Sequence, residues 1–383
     1  MPGLDSVGPT RPASQLVTVF GGSGFLGRHV VRALAKRGYR IRVAARRPDL
    51  ALFLQPLGRV GQIVAVQANL RDRASIARAV EHADVVVNLV GILQESGSQS
   101  FHRLQAEGAA EVARAAAAIG ARMVHVSALG ADAASPSHYA SSKAQGEAGV
   151  FAARPEAVVF RPSIIFGQGD SFFNRFAGLA RALPVLPIAG ADTRMQPVFV
   201  GDVAEAVALA VDGKAKPGTT YELGGPEILT LKRLVEYTLD VTMRRRLVLP
   251  LPGPAARIQA RALEIADTLT LGLLPDSLQL TRDQVLLLEH DIVVADAAMA
   301  EGRTLDAFGI APTAVEAVVP GYLWRFRKAG QFTTGRGAPE MARTPDLLAP
   351  EPVGPGSAHH PQDAGGPAVG QKGAGAGQAP GMR

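Results

Sequence analysis

Seven residues near the start of the chain, Gly21-Gly22-Ser23-Gly24-Phe25-Leu26-Gly27, constrain it more than any other stretch. They follow the apolar, β-branched run Leu16–Phe20 and open Gly27–Arg37, a segment whose apolar residues recur at helical spacing. Glycines at 21, 24 and 27 permit a tight turn, a close approach of backbone to a pyrophosphate, and close packing of helix on strand. The helix N-terminus adds a preference for negative charge. Strand, Gly-rich turn and helix in this order predict an α/β fold in which the first crossover cradles a dinucleotide.

The chain beyond the loop keeps the same rhythm. Short β-branched runs at Arg40–Ala44, Ile63–Gln67, Val85–Val90, Met123–Ser127, Val158–Pro162 and Thr220–Leu223 alternate with longer helix-like segments at Ala74–Glu81, Gln105–Ile119 and Tyr139–Ala152. This alternation predicts a Rossmann-like, doubly wound parallel sheet over 15–245, preceded by a flexible N-terminus over 1–14. Past 245 the character changes. Arg244, Arg245 and Arg246 lead through Pro250, Pro252 and Pro254 into Ala255–Leu271, where Ile258, Ala262, Ile265 and Leu269 share one helical face. A smaller, mainly helical C-terminal lobe is expected over 246–332, with that face packed on the main domain or docked on a partner or membrane surface. Residues 335–383 contain 11 Gly and 8 Pro. That composition predicts a disordered tail over 333–383, because it offers too little apolar surface to offset the entropy of ordering.

Composition removes several function classes. There are no cysteines among 383 residues, which excludes disulfide scaffolds, thiolate metal sites and cysteine nucleophiles. No His–Glu–x–x–His pattern or other ligand spacing marks a metal site, and His125, alternating with Val124 and Val126, reads as a core histidine. No run of apolar residues is long enough for a membrane-spanning helix, and the N-terminus lacks the apolar stretch of an export signal, so a cytoplasmic location is expected. The net charge of +6 favours anionic partners: a phosphorylated cofactor, an acidic protein or an anionic bilayer. Aromatics make up only 5%, with no stacking platform among the basic residues, which argues against nucleic acid.

The Gly-x-x-Gly-x-x-Gly spacing resembles that of the short-chain dehydrogenase/reductase family, in its extended form, and the resemblance assigns roles along the chain. The loop residues Gly21, Gly22, Ser23, Gly24, Phe25, Leu26 and Gly27 would hold the pyrophosphate. Where an NAD-binding member carries a carboxylate, this chain has Arg46 and Arg47, two cations suited to a 2′-phosphate, so NADP(H) is preferred over NAD(H). Asn69 and Leu70 match the segment flanking the adenine. Leu89, Val90 and Gly91 match the stretch beside the cofactor ribose, and Pro162 lies in the Arg-Pro-Ser segment beside the nicotinamide. Ser127, Tyr139 and Lys143 match the hydride-transfer set. Tyr139 and Lys143 stand one helical turn apart, so the ammonium is expected to stabilise a tyrosinate while Ser127 holds the substrate oxygen. Asp202, in the family's strand-to-helix return, reads as a helix N-cap.

Seven blocks, among them ADVVVNLVGIL, YASSKAQGE, RPSIIFGQGDSFFNRFA and LTRDQVLLLEHDIVV, extend the resemblance over about 15–330. They are similar to a divergent branch of the extended group, the NADPH-binding accessory subunits of respiratory complex I and their bacterial relatives. That branch implies a mainly structural nucleotide, complex I subunits as partners, and peripheral contact with an anionic membrane. Two alternatives stand beside it: an NADPH-dependent reductase or nucleotide-sugar epimerase/dehydratase using Ser127, Tyr139 and Lys143 on a small-molecule substrate, and a protein sensing the NADPH/NADP+ ratio.

Overall fold

The central apolar runs become strands because both of their faces are buried. In β1 (Leu16–Phe20) all five positions are inaccessible. Val17 and Val19 join a core with α1 (Phe25–Lys36), while Phe20 joins a second core on the opposite face. The same alternation continues in β2 (Arg40–Ala45), β3 (Ile63–Gln67), β4 (Val85–Asn88), β5 (Arg122–Val126) and β6 (Val158–Pro162). Helices α2 (Arg73–Val80), α3 (Gly108–Ala118) and α4 (His138–Ala153) cover the second face. The computed structural model describes residues 14–330 except 98, 256–257, 260, 262–280 and 329. The expected flexible N-terminus up to 13, most of the expected helix 255–271, and the expected tail lie outside the described residues.

After β6 the chain makes β7 (Ile165–Phe166), α5 (Phe172–Ala182), β8 (Val185–Ala189), β9 (Arg194–Met195), β10 (Val198–Phe199) and α6 (Val200–Val211). It then adds β11 (Thr220–Leu223), β12 (Leu229–Thr230), α7 (Leu231–Val241) and β13 (Leu247–Leu251). The main sheet has the order β11-β6-β5-β4-β1-β2-β3, every pair parallel. The strand order reverses between β1 and β4, which opens a crevice at the carboxyl ends of the strands. This is the expected Rossmann-like, doubly wound fold. Strand β4 ends at Asn88, two residues before the expected Val90, because Asn88 Oδ1 accepts from the Val90 amide at 3.2 Å and turns the chain.

A third core joins Phe173, Ala177 and Ala180 of α5 with Leu234 and Leu239 of α7 and with Val315, Val319 and Leu323 near the end of the described chain, so the smaller lobe draws on α5 and α7 from within the expected 15–245 span as well as on residues after 245. Asp202 corrects one expectation. The N-cap of α6 is Phe199, and Asp202 sits inside the first turn, accepting from the Thr313 amide at 2.8 Å and its hydroxyl at 3.1 Å. A carboxylate there still complements the helix dipole, yet its hydrogen bonds fasten the C-terminal segment. Two of the three consecutive arginines are also consumed internally. Arg244 donates twice to the Phe326 carbonyl, at 2.8 and 3.0 Å, and Arg246 donates to the Ala180 carbonyl at 2.8 Å. Among the described residues, no helix is long and apolar enough to cross a membrane.

Candidate functional site

All of the residues singled out for chemistry lie at one edge of the sheet, where strands β1 to β6 end. The Gly-rich turn follows β1, Arg46 and Arg47 follow β2, Asn69 and Leu70 follow β3, and Leu89, Val90 and Gly91 follow β4. Ser127 follows β5, Pro162 closes β6, and Tyr139 and Lys143 ride on the first turns of α4.

The turn is shaped by its own packing. Gly21 has φ +77°, and a Cβ there would lie 3.1 Å from the Leu89 carbonyl carbon, so the β1 turn and the β4 end touch backbone to backbone. A Cβ on Gly27 would come within 2.2 Å of the Gly21 carbonyl oxygen, which fixes how closely α1 approaches the turn. The helix N-cap, Gly24, contributes no side-chain cap, and the first turn of α1 carries no acidic residue. Its amides therefore keep their preference for an external anion. These features fit the pyrophosphate of a dinucleotide.

The two arginines part company. Arg47 turns back onto Asp49, with Nη2 2.8 Å from the carboxylate on the open surface. Arg46 reaches across to the Gln99 side-chain oxygen at 2.6 Å. Asn69 Oδ1 accepts from the Arg71 amide at 3.1 Å, and Leu70 is buried against Gly108.

Beneath the β4 and β5 ends lies a buried polar cluster. Lys143 is 5% exposed, with its Nζ 5.9 Å from the centre of the Tyr139 ring and 3.2 Å from where a Cβ on Gly91 would sit. Phe101 packs edge-on against Tyr139 with ring centres 5.7 Å apart. His125 is buried beside it, its Nδ1 3.3 Å from Asn88 Nδ2. Because Asn88 Oδ1 is engaged by the Val90 amide, Asn88 Nδ2 faces His125 and donates to its Nδ1, which puts the imidazole proton on Nε2. His125 Nε2, Ser127 Oγ and Gln105 Oε1 are buried and find no protein partner among the described residues. Those orphaned atoms suit a site that receives a polar ligand or ordered water. Gln105 went unremarked in the sequence; it lies in a single π-helical segment, His102–Glu107, that leads into α3. A glutamine on an otherwise apolar helix face was the available signal.

Charge states differ from the expectation of a tyrosinate. Burial pushes the Tyr139 phenol up to about 12, and the Asp283 carboxylate adds to that direction. Burial also brings the Lys143 ammonium down to about 8, partly opposed by Glu147. Burial lowers His125 to about 3, helped by the nearby Lys143 charge. At neutral pH the site holds a protonated phenol beside a mostly cationic lysine and a neutral imidazole. The ammonium does not outweigh desolvation.

Asp283, which the sequence did not single out, reaches this site from far along the chain. It is the first-turn residue of the short helix Arg282–Leu287, whose Thr281 and Gln284 form a reciprocal capping box. The carboxylate accepts from Ser137 Oγ at 3.0 Å, from the His138 amide at 2.6 Å and from the Tyr139 amide at 3.2 Å.

Residues 17–224, the strand–turn–helix succession and the edge just described, match the model of the NAD dependent epimerase/dehydratase family. The chain belongs to that family. Within it, the chain is 34% identical over 320 residues to the NADH dehydrogenase [ubiquinone] 1 alpha subcomplex subunit 9 of Arabidopsis thaliana, a match covering 82% of this chain and 79% of the relative. It is 38% identical over 192 residues to the ceramide reductase of Caulobacter vibrioides, covering 50% of this chain and 59% of that enzyme. Among solved structures, the NADPH-dependent quinone oxidoreductase of Escherichia coli complexed with NADPH has the same fold, with TM-score 0.59 and 21% identity over 78% of this chain and 96% of that one. The family's sheet edge is thus the place where this member's glycines, Ser127, Tyr139 and Lys143 converge.

Proposed function

We propose that the protein binds NADP(H) along the carboxyl edge of its sheet and serves as a nucleotide-bearing accessory subunit of respiratory complex I, the nucleotide acting mainly as part of the fold. One observation carries this reading: the similarity to a complex I subunit runs over 320 residues, well beyond the 17–224 span of the family model and so into the smaller lobe. A solved structure that shares the fold alone covers 78% of this chain at 21% identity, so the weight lies in the 34% identity kept over that length. The residues that would hold the nucleotide are the Gly21–Gly27 turn, Arg46, Leu89 to Gly91, Tyr139, Lys143 and Pro162. Arg46 is the cation for a 2′-phosphate, since Arg47 is already paired with Asp49. In this role the protein works in the cytoplasm, on the inner face of the membrane that carries the complex.

A second reading, a reductase, is favoured by the intact set of buried groups and by the similarity to a ceramide reductase. The nicotinamide, when bound in reduced form, supplies the hydride for a carbonyl carbon. Tyr139, held as a phenol at neutral pH, donates its proton to the carbonyl oxygen. Ser127 Oγ holds that oxygen, and Lys143 returns a proton to the phenolate.

Native mass spectrometry of the purified chain, followed by denaturation and identification of released nucleotide, tests the proposal. Stoichiometric NADP(H) that added NADP+ does not displace, together with co-purification with respiratory subunits, is the expected result. A freely exchanging site with NADPH oxidation abolished in Tyr139→Phe would replace it with the reductase.

A further inference from the structure

We infer that Asp283 is a positioning residue for Tyr139, and that the C-terminal segment carrying it completes the nucleotide site instead of merely covering it. The inference rests on the reading of Ser127, Tyr139 and Lys143 as that site.

The first amides of a helix have no acceptor within it. In α4 those amides belong to His138 and Tyr139, and both donate to the one carboxylate of Asp283. Ser137, the N-cap, accepts from the Ala140 amide through the same hydroxyl that donates to Asp283, so one chain of hydrogen bonds runs from the carboxylate into the first turn. An anion at this end also complements the helix dipole. Tyr139 is the second residue of that turn and Lys143 lies one turn on. The register of the first turn therefore sets where both side chains point.

Asp283 is itself held firmly. The capping box orders its helix, and Val285 is buried against Ala189 and Leu251. Downstream, the Ile292 carbonyl accepts from Ser163 Oγ at 3.0 Å, the Val294 amide donates to Gln196 Oε1 at 3.0 Å, and the Ala295 amide donates to Glu222 at 2.9 Å. Val294 also packs on Leu129, two residues after Ser127. The strap 281–295 is thus fastened to the smaller lobe, to β11 and to the loop after β5 before it presents its carboxylate. The negative charge has a second effect: it disfavours a tyrosinate and keeps Tyr139 a proton donor.

The test uses the full chain. In the wild type, the amides of His138 and Tyr139 should exchange with deuterium far more slowly than an unstructured chain. In Asp283→Asn and Asp283→Ala, the ionisation of Tyr139, read as the ultraviolet difference against Tyr139→Phe in each background, should move to lower pH. The NADP(H) dissociation constant should rise roughly five- to tenfold, as for a lost helix cap. A merely structural cap would weaken folding and binding without moving the phenol's ionisation. Unprotected amides in the wild type, or a Tyr139 titration identical in all backgrounds, would overturn the inference; the exchange measurement can overturn it even if the variants do not fold. If the wild type binds no NADP(H), the functional reading fails, and Asp283 is still judged by the exchange and the titration.

Discussion

Glu147 and Arg161 meet in a two-pronged ion pair, Arg161 Nε standing 2.9 Å and Nη2 2.6 Å from the two carboxylate oxygens. Glu147 lies one helical turn beyond Lys143 on α4, and Arg161 is in β6, so the pair locks the helix bearing the site onto the sheet. Arg161 Nη1 also faces Glu222 of β11 at 3.6 Å.

Glu147→Gln should therefore lower stability by about 2 kcal/mol. This is below the ~3–5 kcal/mol of a fully buried pair, since Arg161 is about a quarter exposed and keeps Glu222. Urea unfolding monitored by fluorescence measures it. An unchanged midpoint would mean that the pair contributes nothing net.

Acid should destabilise the protein through His125. Its folded pKa, lowered to about 3, lies below the ordinary value of 6.5 for an unfolded chain. The unfolded state thus takes up the proton first, and stability falls as pH drops from about 6.5 towards 3. Between pH 7 and 5 this group alone accounts for about 2 kcal/mol. His29, lowered by burial to about 4, acts in the same direction. In His125→Asn, the loss of stability between those two pH values should be smaller by about 2 kcal/mol.

Arg46 should discriminate between cofactors. Arg46→Asp is expected to weaken NADP(H) binding roughly ten- to a hundredfold, the scale of one charge-assisted contact, while leaving NAD(H) within about twofold. Titration calorimetry with both nucleotides gives the comparison. Equal losses would remove the 2′-phosphate assignment.

Two glycines should respond in opposite ways to alanine. At Gly27 the added methyl meets the Gly21 carbonyl at 2.2 Å, so Gly27→Ala should cost several kcal/mol, about 3, and abolish nucleotide binding. At Gly178, inside α5, a Cβ meets nothing within 4 Å. Gly178→Ala should add up to about 1 kcal/mol of stability. Thermal melts of the two variants provide the check.

The three consecutive arginines should separate likewise. Arg244→Glu and Arg246→Glu each lose hydrogen bonds to backbone carbonyls and should lower the melting temperature. Arg245 is exposed, and Arg245→Glu should leave the melt unchanged. Only the Arg245 variant can then report on docking to an anionic partner, by loss of co-sedimentation with membranes at unchanged stability.

The sheet could be read from the sequence because its strands are apolar, β-branched runs bounded by turns, so Leu16–Phe20, Ile63–Gln67, Val158–Pro162 and Thr220–Leu223 have the same ends in sequence and structure. The Gly-rich turn was legible for a similar reason, since close backbone approach leaves no other residue type. What escaped were effects of distant partners. Nothing local announces that Asp202 serves Thr313, or that burial outweighs the Lys143 charge at Tyr139. Asp283 was hidden in the same way: its Thr-x-x-Gln capping box was visible, but its acceptor role depends on a helix that starts some 145 residues earlier.

That separation bears on the order in which the protein is made. By the time residue 245 has left the ribosome, all seven strands of the main sheet are available to pair. The first turn of α4 must wait for Asp283, 144 residues after Tyr139, before its two leading amides gain their acceptor. Synthesis therefore delivers every strand of the sheet ahead of a finished site, and a chain cut short between the two would hold all seven strands while leaving Tyr139 without its anchor.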